Sequence, residues 1–284
     1  MLSKSALETK SSEIRDYLRT LYAAWGPQHW WPASSPFEVI VGAILTQNAA
    51  WTNVEKAIAN LRAAKVLSVR GIRNVSTEEL ERMLRPSGYF RQKTKRLKDF
   101  VDWLERRYRG SVRAMFRTPS AELREELLAL NGIGPETADS ILLYAGQQEI
   151  FVVDAYTRRI FERHGLIKGS ASYDEVRLTV EAALRDVSSR IESKRSGHCD
   201  PIPAEPGLGT TEALVTIVVH PPSAMSEMNR SEVARRYNEF HALIVQTGKH
   251  YCQSRVAKCD FCPLGPLSKG RDLVRGKGPS KHRQ

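Results

Sequence analysis

The chain of 284 residues holds no run of about 18 consecutive apolar residues, the length that a membrane-spanning helix requires. Its opening stretch, MLSKSALETKSSEIRDYLRTLYAAWG, also lacks the continuous apolar core of a secretory leader. The expectation is an intracellular protein without a membrane partner, cytoplasmic and, in a prokaryote, close to the nucleoid. Cysteine is scarce: four residues are too few for a disulfide framework in a chain of this length. Three of them, Cys252, Cys259 and Cys262, lie so close together that metal binding is the better reading. Strand-like alternation is nearly missing too, and its one short candidate, Ile150-Phe151-Val152-Val153, reads better as a connector. Acidic residues are outnumbered, 32 against 43 Lys plus Arg, which leaves a net charge of +11 and a pI near 9.6. That balance favours a polyanionic partner, nucleic acid ahead of an anionic membrane surface.

What the sequence does contain is helical periodicity. From Phe37 to Leu61 the apolar residues Val39, Ile40, Ala43, Ile44, Val54, Ala57, Ile58 and Leu61 recur at three- and four-residue intervals. The same spacing returns over 79–84, 93–108, 121–130, 135–144 and 155–164, with Pro86-Ser87-Gly88 and Asn131-Gly132 as turn signals. Thr118-Pro119-Ser120 reads as a helix start, with Ser120 or Thr118 as the cap. An all-α fold in two domains follows. The expected organisation is an N-terminal helix (1–35) packing with the C-terminal domain, a central helical domain (36–145), a C-terminal helical domain (146–268), and a basic tail (269–284). Residues 188–228 are rich in Ser, Pro and Gly and read as a flexible insertion, in which 213–219 is a short apolar piece.

The stretch Leu130-Asn131-Gly132-Ile133-Gly134-Pro135-Glu136-Thr137 carries chemistry. A helix ending at Leu130, two glycines that allow positive φ and close approach, and a new helix opening at Pro135 form a hairpin of helices. The backbone N–H groups of such a turn make an anion site that suits a DNA phosphate and reads no base. A plain structural turn is the alternative for an isolated G-x-G.

Downstream lies Phe151-Val152-Val153-Asp154-Ala155-Tyr156. Together, L-x-G-I-G-x-x-T-A and V-V-D resemble the helix-hairpin-helix, Gly/Pro-rich loop and catalytic Asp of the endonuclease III superfamily of DNA glycosylases. The resemblance spans roughly 30–186 and 235–268 and implies that family's two-domain helical fold. It further implies a partner, double-stranded DNA with a damaged base, acted on by a monomer that extrudes the base and cuts its glycosidic bond. Ile44-Leu45-Thr46-Gln47-Asn48 is similar to the family's DNA-facing helix end, and Arg85-Pro86-Ser87-Gly88-Tyr89 to its wedge loop with Tyr89 at the tip. The resemblance thus assigns DNA contact to Gln47, Asn48, Tyr89, Gly132, Ile133, Gly134 and Thr137.

Glycosidic cleavage develops oxocarbenium character, which a carboxylate near C1′ stabilises while orienting a water. Asp154 matches the family's carboxylate, and it also suits the cap of a helix beginning at Ala155. Where bifunctional members carry a Lys whose amine attacks C1′, this sequence has Glu136. A carboxylate forms no imine, so the expectation is a monofunctional glycosylase. WWP, F-E-x-x-x-G-A-x-L-T-Q-N, R-P-S-G-Y and G-I-G-x-E-x-A-D-x-I-L-x-Y-A look most like the 3-methyladenine DNA glycosylase III branch, whose base pocket implies Trp30, Trp31, Pro32, Trp51 and Lys249 here. An electron-poor alkylated base suits electron-rich rings. Other readings stay open: a glycosylase/lyase for oxidised or mismatched pyrimidines using another amine such as Lys249, or a binding protein that contacts phosphates only.

Cys252-x6-Cys259-x2-Cys262 is similar to three ligands of the family's [4Fe-4S] loop, and Ser268 stands where the fourth cysteine would be. Cys199 has no spacing to recommend it as a substitute. Zinc with His250 or an oxygen ligand is a second possibility, and a metal-free loop a third.

Overall fold

The computed structural model describes residues 4–185, 217 and 219–268, and among them the regular structure is helical with no strand. Cys199, most of 188–228 including 213–216 and 218, and the tail 269–284 lie outside the described residues. Backbone contacts divide the chain into two units. One comprises His29–Val152 and Pro221–Arg235, and the other comprises Met1–Gln28, Val153–His220 and Arg236–Gln284.

The first unit is built around α2 (Pro36–Leu45), in which every residue from Phe37 to Leu45 is buried. The sequence PFEVIVGAIL is apolar on all sides, as a central helix requires. Ser35 caps it, its hydroxyl accepting from the Glu38 N–H, and Pro36 sits where a missing N–H is harmless. Its one charge, Glu38, is satisfied by the Ser34 hydroxyl at 2.6 Å and the Arg62 guanidinium. Around α2 stand α3 (Trp51–Ala63), α4 (Val69–Asn74), α5 (Thr77–Leu84), α6 (Phe90–Tyr108), α7 (Val112–Met115), α8 (Ser120–Leu128) and α9 (Pro135–Ser140). The helix begun by α9 continues as a π-helical turn over Ile141–Ala145, fully buried and packed on α2.

Two local expectations are corrected. Neither Thr118 nor Ser120 caps α8: Pro119 occupies the cap position without a side-chain bond, and the Thr118 hydroxyl lies 3.1 Å from that of Tyr108. The end of the 188–228 stretch is also tied down, since the Ser223 hydroxyl donates to the Trp31 carbonyl at 2.8 Å and the Met225 N–H to the Ala33 carbonyl at 3.2 Å. Met225 is buried by this turn.

In the second unit α1 (Lys4–Trp25) packs on α11 (Tyr173–Arg185), burying Ile14, Tyr17 and Leu21. Helix α10 (Ala155–Arg163) and the greater part of α12 (Glu232–His250) complete it. The Tyr237 hydroxyl of α12 donates to the Glu181 carbonyl of α11 at 3.1 Å, so the long stretch separating these helices in sequence does not keep them apart. Among the described residues no helix is long and apolar enough to cross a membrane.

Candidate functional site

The hairpin turn joins α8 to α9, and its two glycines do different work. Gly132 has φ +81°, where a side chain is strained, and a Cβ there would collide with Arg96. Gly134 has φ −92° and caps α9 in ordinary extended backbone, so the expectation that both glycines serve positive φ is corrected. A Cβ at Gly134 would meet nothing within 4 Å, which leaves the outer face of the turn clear. Ile133 is buried beneath it. The hairpin is stapled by Arg124 of α8 to the fully buried Asp139 of α9 at 2.7 Å.

Gln47, just past α2, is engaged by this turn. Its side-chain amide donates to the Gly132 carbonyl at 2.9 Å and to the Thr137 hydroxyl at 2.8 Å, while its oxygen accepts from the Arg96 guanidinium. Thr137 itself is buried. Asn48 and Tyr89 are exposed, and both hold left-handed backbone, with φ +51° and +45°. Bulky residues seldom adopt such angles unless the surroundings enforce them. Tyr89 is 65% exposed at the tip of the Arg85–Gly88 turn and directly precedes α6.

Trp30, Trp31 and Trp51 form one cluster with ring centroids 4.8 to 5.2 Å apart, and Tyr144 of the π turn joins it 5.2 Å from Trp31. Trp31 lies against α2 where Gly42 makes room: a Cβ there would come within 2.9 Å of the indole. The indole N–H groups of Trp31 and Trp51 are buried with no acceptor among the described residues, an unusual state for such donors. A flat base held between two rings needs them roughly 7 Å apart. These rings touch one another, so the half-buried Trp30 and Trp51 offer a stacking face and not a slot. Pro32 follows directly and is half-buried.

In the other unit, which begins again at Val153, the Tyr173 hydroxyl accepts from the Val153 N–H at 3.2 Å. Asp154 is nine-tenths buried and caps α10, its Oδ1 accepting from the Thr157 N–H at 2.7 Å and hydroxyl at 2.8 Å. Its other oxygen, Oδ2, lies 3.6 Å from Nε2 of His241 on α12. Burial holds His241 below the usual histidine range, and the nearby Asp154 carboxylate only partly offsets this. Tyr156, one turn into α10, packs on Gly248, where any side chain would clash with its ring. Burial and the Asp154 charge raise the Tyr156 phenol. Lys249, next to Gly248, is exposed in the last turn of α12.

Cys252, Cys259 and Cys262 line one small recess, partly open to solvent, beneath Ile160, Arg163 and His164. Burial pushes the Cys262 thiol up to about 11, and the sulfurs of Cys252 and Cys259 add to that rise. The Arg163 guanidinium lies 3.1 Å from the Cys252 sulfur. No group of three or more His, Cys, Asp or Glu among the described residues is placed to hold a metal ion. Three thiols, one of them against a guanidinium, with a hydroxyl at Ser268, do not fit the four-thiolate set that the loop spacing suggests. The loop is instead closed by its own backbone, through the Cys252–Ala257 bridge and the Arg159 side chain on the Cys252 carbonyl at 2.7 Å.

Glu136 is exposed in the first turn of α9, at the position where the resemblance implies a lysine in bifunctional members. Sequence reasoning included Tyr144 in the branch motif without assigning it to the base pocket, and it missed His241, Lys93 and Arg96. Tyr144 sat within an apolar run, His241 carried no motif, and Lys93 and Arg96 were lost in the basic stretch RQKTKRLK.

Comparison with known proteins gives this geometry a context. The profile of HhH-GPD superfamily base excision DNA repair proteins matches residues 41–186. A Methanocaldococcus jannaschii protein with the provisional name of a DNA repair glycosylase is 37% identical over 259 residues, 90% of this chain and 96% of its own. The structure of the H. pylori 3-methyladenine DNA glycosylase bound to 1,N6-ethenoadenine is similar with a TM-score of 0.61 at 27% identity, covering 86% of this chain and 97% of that one. A non-covalent endonuclease III–DNA complex aligns with a TM-score of 0.64 over 95% and 99% of the two chains, at 21% identity a likeness of fold alone.

Proposed function

Because the chain belongs to the HhH-GPD superfamily of base excision DNA repair proteins and is a DNA glycosylase of that family, we propose that it removes an alkylated purine, 3-methyladenine foremost, from double-stranded DNA by hydrolysis. The observation that carries this reading is the aromatic cluster, in which the half-buried rings of Trp30 and Trp51 lie 5.2 Å apart. A purine made electron-poor by alkylation stacks on the open face of Trp30 or Trp51. The similar H. pylori enzyme, whose structure holds an ethenoadenine, supports a modified purine as the ligand class.

Alkylation at a purine ring nitrogen leaves the base cationic, so the C1′–N bond breaks with its electron pair passing to the base, which departs neutral. Little leaving-group catalysis is then needed. The remaining task is the oxocarbenium sugar and the incoming water, and Asp154 suits both. With Oδ1 fixed by the α10 cap, Oδ2 is the oxygen left to face the sugar and to take the proton that the water loses on bonding to C1′. His241, kept neutral by burial, contacts that oxygen without placing a positive charge on it. Glu136 supplies no amine, so water is the nucleophile and no Schiff base forms.

The test is base release from duplexes carrying methylated purines, uracil, mismatched thymine or oxidised pyrimidines, together with borohydride trapping. We expect 3-methyladenine release, its loss in Asp154→Asn by at least about a hundredfold, and no trapped protein–DNA adduct. Release confined to pyrimidines, or an efficient trapped adduct, would overturn the reading.

A further inference from the structure

Lys93 is the one lysine of the described core with no exposure at all, and its two acceptors belong to different segments, the end of α2 and the Arg85–Gly88 turn. Its ammonium donates to the Leu45 carbonyl at 2.8 Å, at the C-terminus of α2, and to the Ser87 carbonyl at 2.6 Å, inside the turn that carries Tyr89. Burial, with Arg96 alongside, lowers its pKa to about 8, so the ammonium stays mostly charged at neutral pH. Three residues further along the same face of α6, Arg96 donates to Gln47, whose amide in turn holds the hairpin turn at Gly132 and Thr137. One face of one helix therefore binds the Tyr89 turn, the Gln47 turn and the hairpin turn.

A buried ammonium costs several kcal/mol of desolvation unless its hydrogen bonds compensate, and a methionine would fill the same space more cheaply. What Lys93 supplies and methionine does not is a fixed distance between the carbonyl that ends α2 and one in the Tyr89 turn. The loops it spans are those assigned to the duplex: a wedge must enter the stack at a set height above the phosphate that the hairpin holds. Misplacement by about an ångström costs on the order of a hundredfold in rate.

We propose that Lys93 and Arg96 are positioning residues that hold the wedge turn, the Gln47 turn and the hairpin turn in one register, so that anchoring the backbone and extruding the nucleotide are coupled. The proposal rests on the reading of these three loops as DNA-facing, and it does not depend on which base is removed. Because Lys93 is fully buried, it touches no DNA, and any effect of its removal on extrusion passes through Leu45 and Ser87.

The experiment uses the full chain and a duplex with 2-aminopurine beside a tetrahydrofuran abasic-site analogue, which reports unstacking without a glycosidic bond to cut. Lys93→Met is expected to bind an undamaged duplex within about threefold of wild type, since the hairpin remains, yet to lose most of the 2-aminopurine fluorescence rise at saturation. Arg96→Lys, which keeps the charge and loses the fork that reaches Gln47, is expected to show the same split. It also provides the reading if Lys93→Met does not fold, as judged by its helical circular dichroism. A fluorescence rise equal to wild type in the folded variants overturns the proposal, as does affinity falling in step with it. Intact coupling with no methylpurine release would instead sink the substrate assignment and leave the register proposal standing.

Discussion

Gly132 and Gly134 stand two residues apart in one turn, yet physics asks for glycine at only one of them on grounds of stability. Gly132 combines left-handed backbone with the Arg96 side chain packed where a Cβ would go. Gly132→Ala is therefore expected to cost about 1–3 kcal/mol in urea unfolding. Gly134 has neither constraint, so Gly134→Ala is expected to cost less than about 1 kcal/mol. If a phosphate approaches the backbone at this open outer face, the added methyl is expected to weaken binding to undamaged duplex. Wild-type affinity in Gly134→Ala would remove the hairpin turn from the DNA interface. Asn48 and Tyr89 pose the complementary case, because both hold left-handed backbone without being glycine. Around Tyr89 the reason is visible: Gly88 at φ +66° and the Lys93 bond to Ser87 shape the turn and leave the ring outside.

At the scale of elements, α10 and α12 together define the surroundings of Asp154. The first supplies the cap that fixes one carboxylate oxygen, and the second brings His241 to the other. Burial lowers the folded pKa of His241 below the ordinary 6.5. Between that lowered value and 6.5 the unfolded chain binds the proton and the folded chain does not. The contribution to stability is thus complete above pH 6.5 and is lost as pH falls through it, at up to about 1.4 kcal/mol per pH unit. Wild type is expected to lose more stability than His241→Gln between neutrality and pH 5 in paired urea titrations. Parallel curves for the two proteins would show that His241 is not desolvated in the folded chain. The π turn is the other informative element: its wider coil places Tyr144 beside Trp31 while keeping Ile141 to Ala145 buried on α2.

For the whole molecule the dominant quantity is charge. An excess of 11 positive charges makes phosphate contact the main source of affinity, with counterion release as its signature. Binding to undamaged duplex is expected to fall linearly in log–log terms with salt. Six phosphates neutralised would lower affinity on the order of a thousandfold between 50 and 200 mM. A flat salt dependence in electrophoretic or fluorescence titrations would contradict a backbone-anchored glycosylase. Beside the cysteine loop, which Arg163 and the loop's own backbone hold together, Arg255 and Lys258 are exposed and add to the positive surface.

The sequence by itself determined the helical fold, because three-and-four spacing of apolar residues and the Gly and Pro punctuation are local facts. It also carried the hairpin, the Asp154 cap and the glutamate at position 136, each encoded within a few consecutive residues. Only the tertiary structure decided which of several lysines in RQKTKRLK is buried, since Lys93 differs from Lys95 by the carbonyls it reaches 6 and 48 residues away. The same holds for Tyr144 and His241, whose partners lie far off in the chain, and for the thiols, where spacing alone could not reveal the guanidinium set against Cys252. Periodicity reports which face of an element is buried, whereas a site is made by what faces meet, and that is a property of packing.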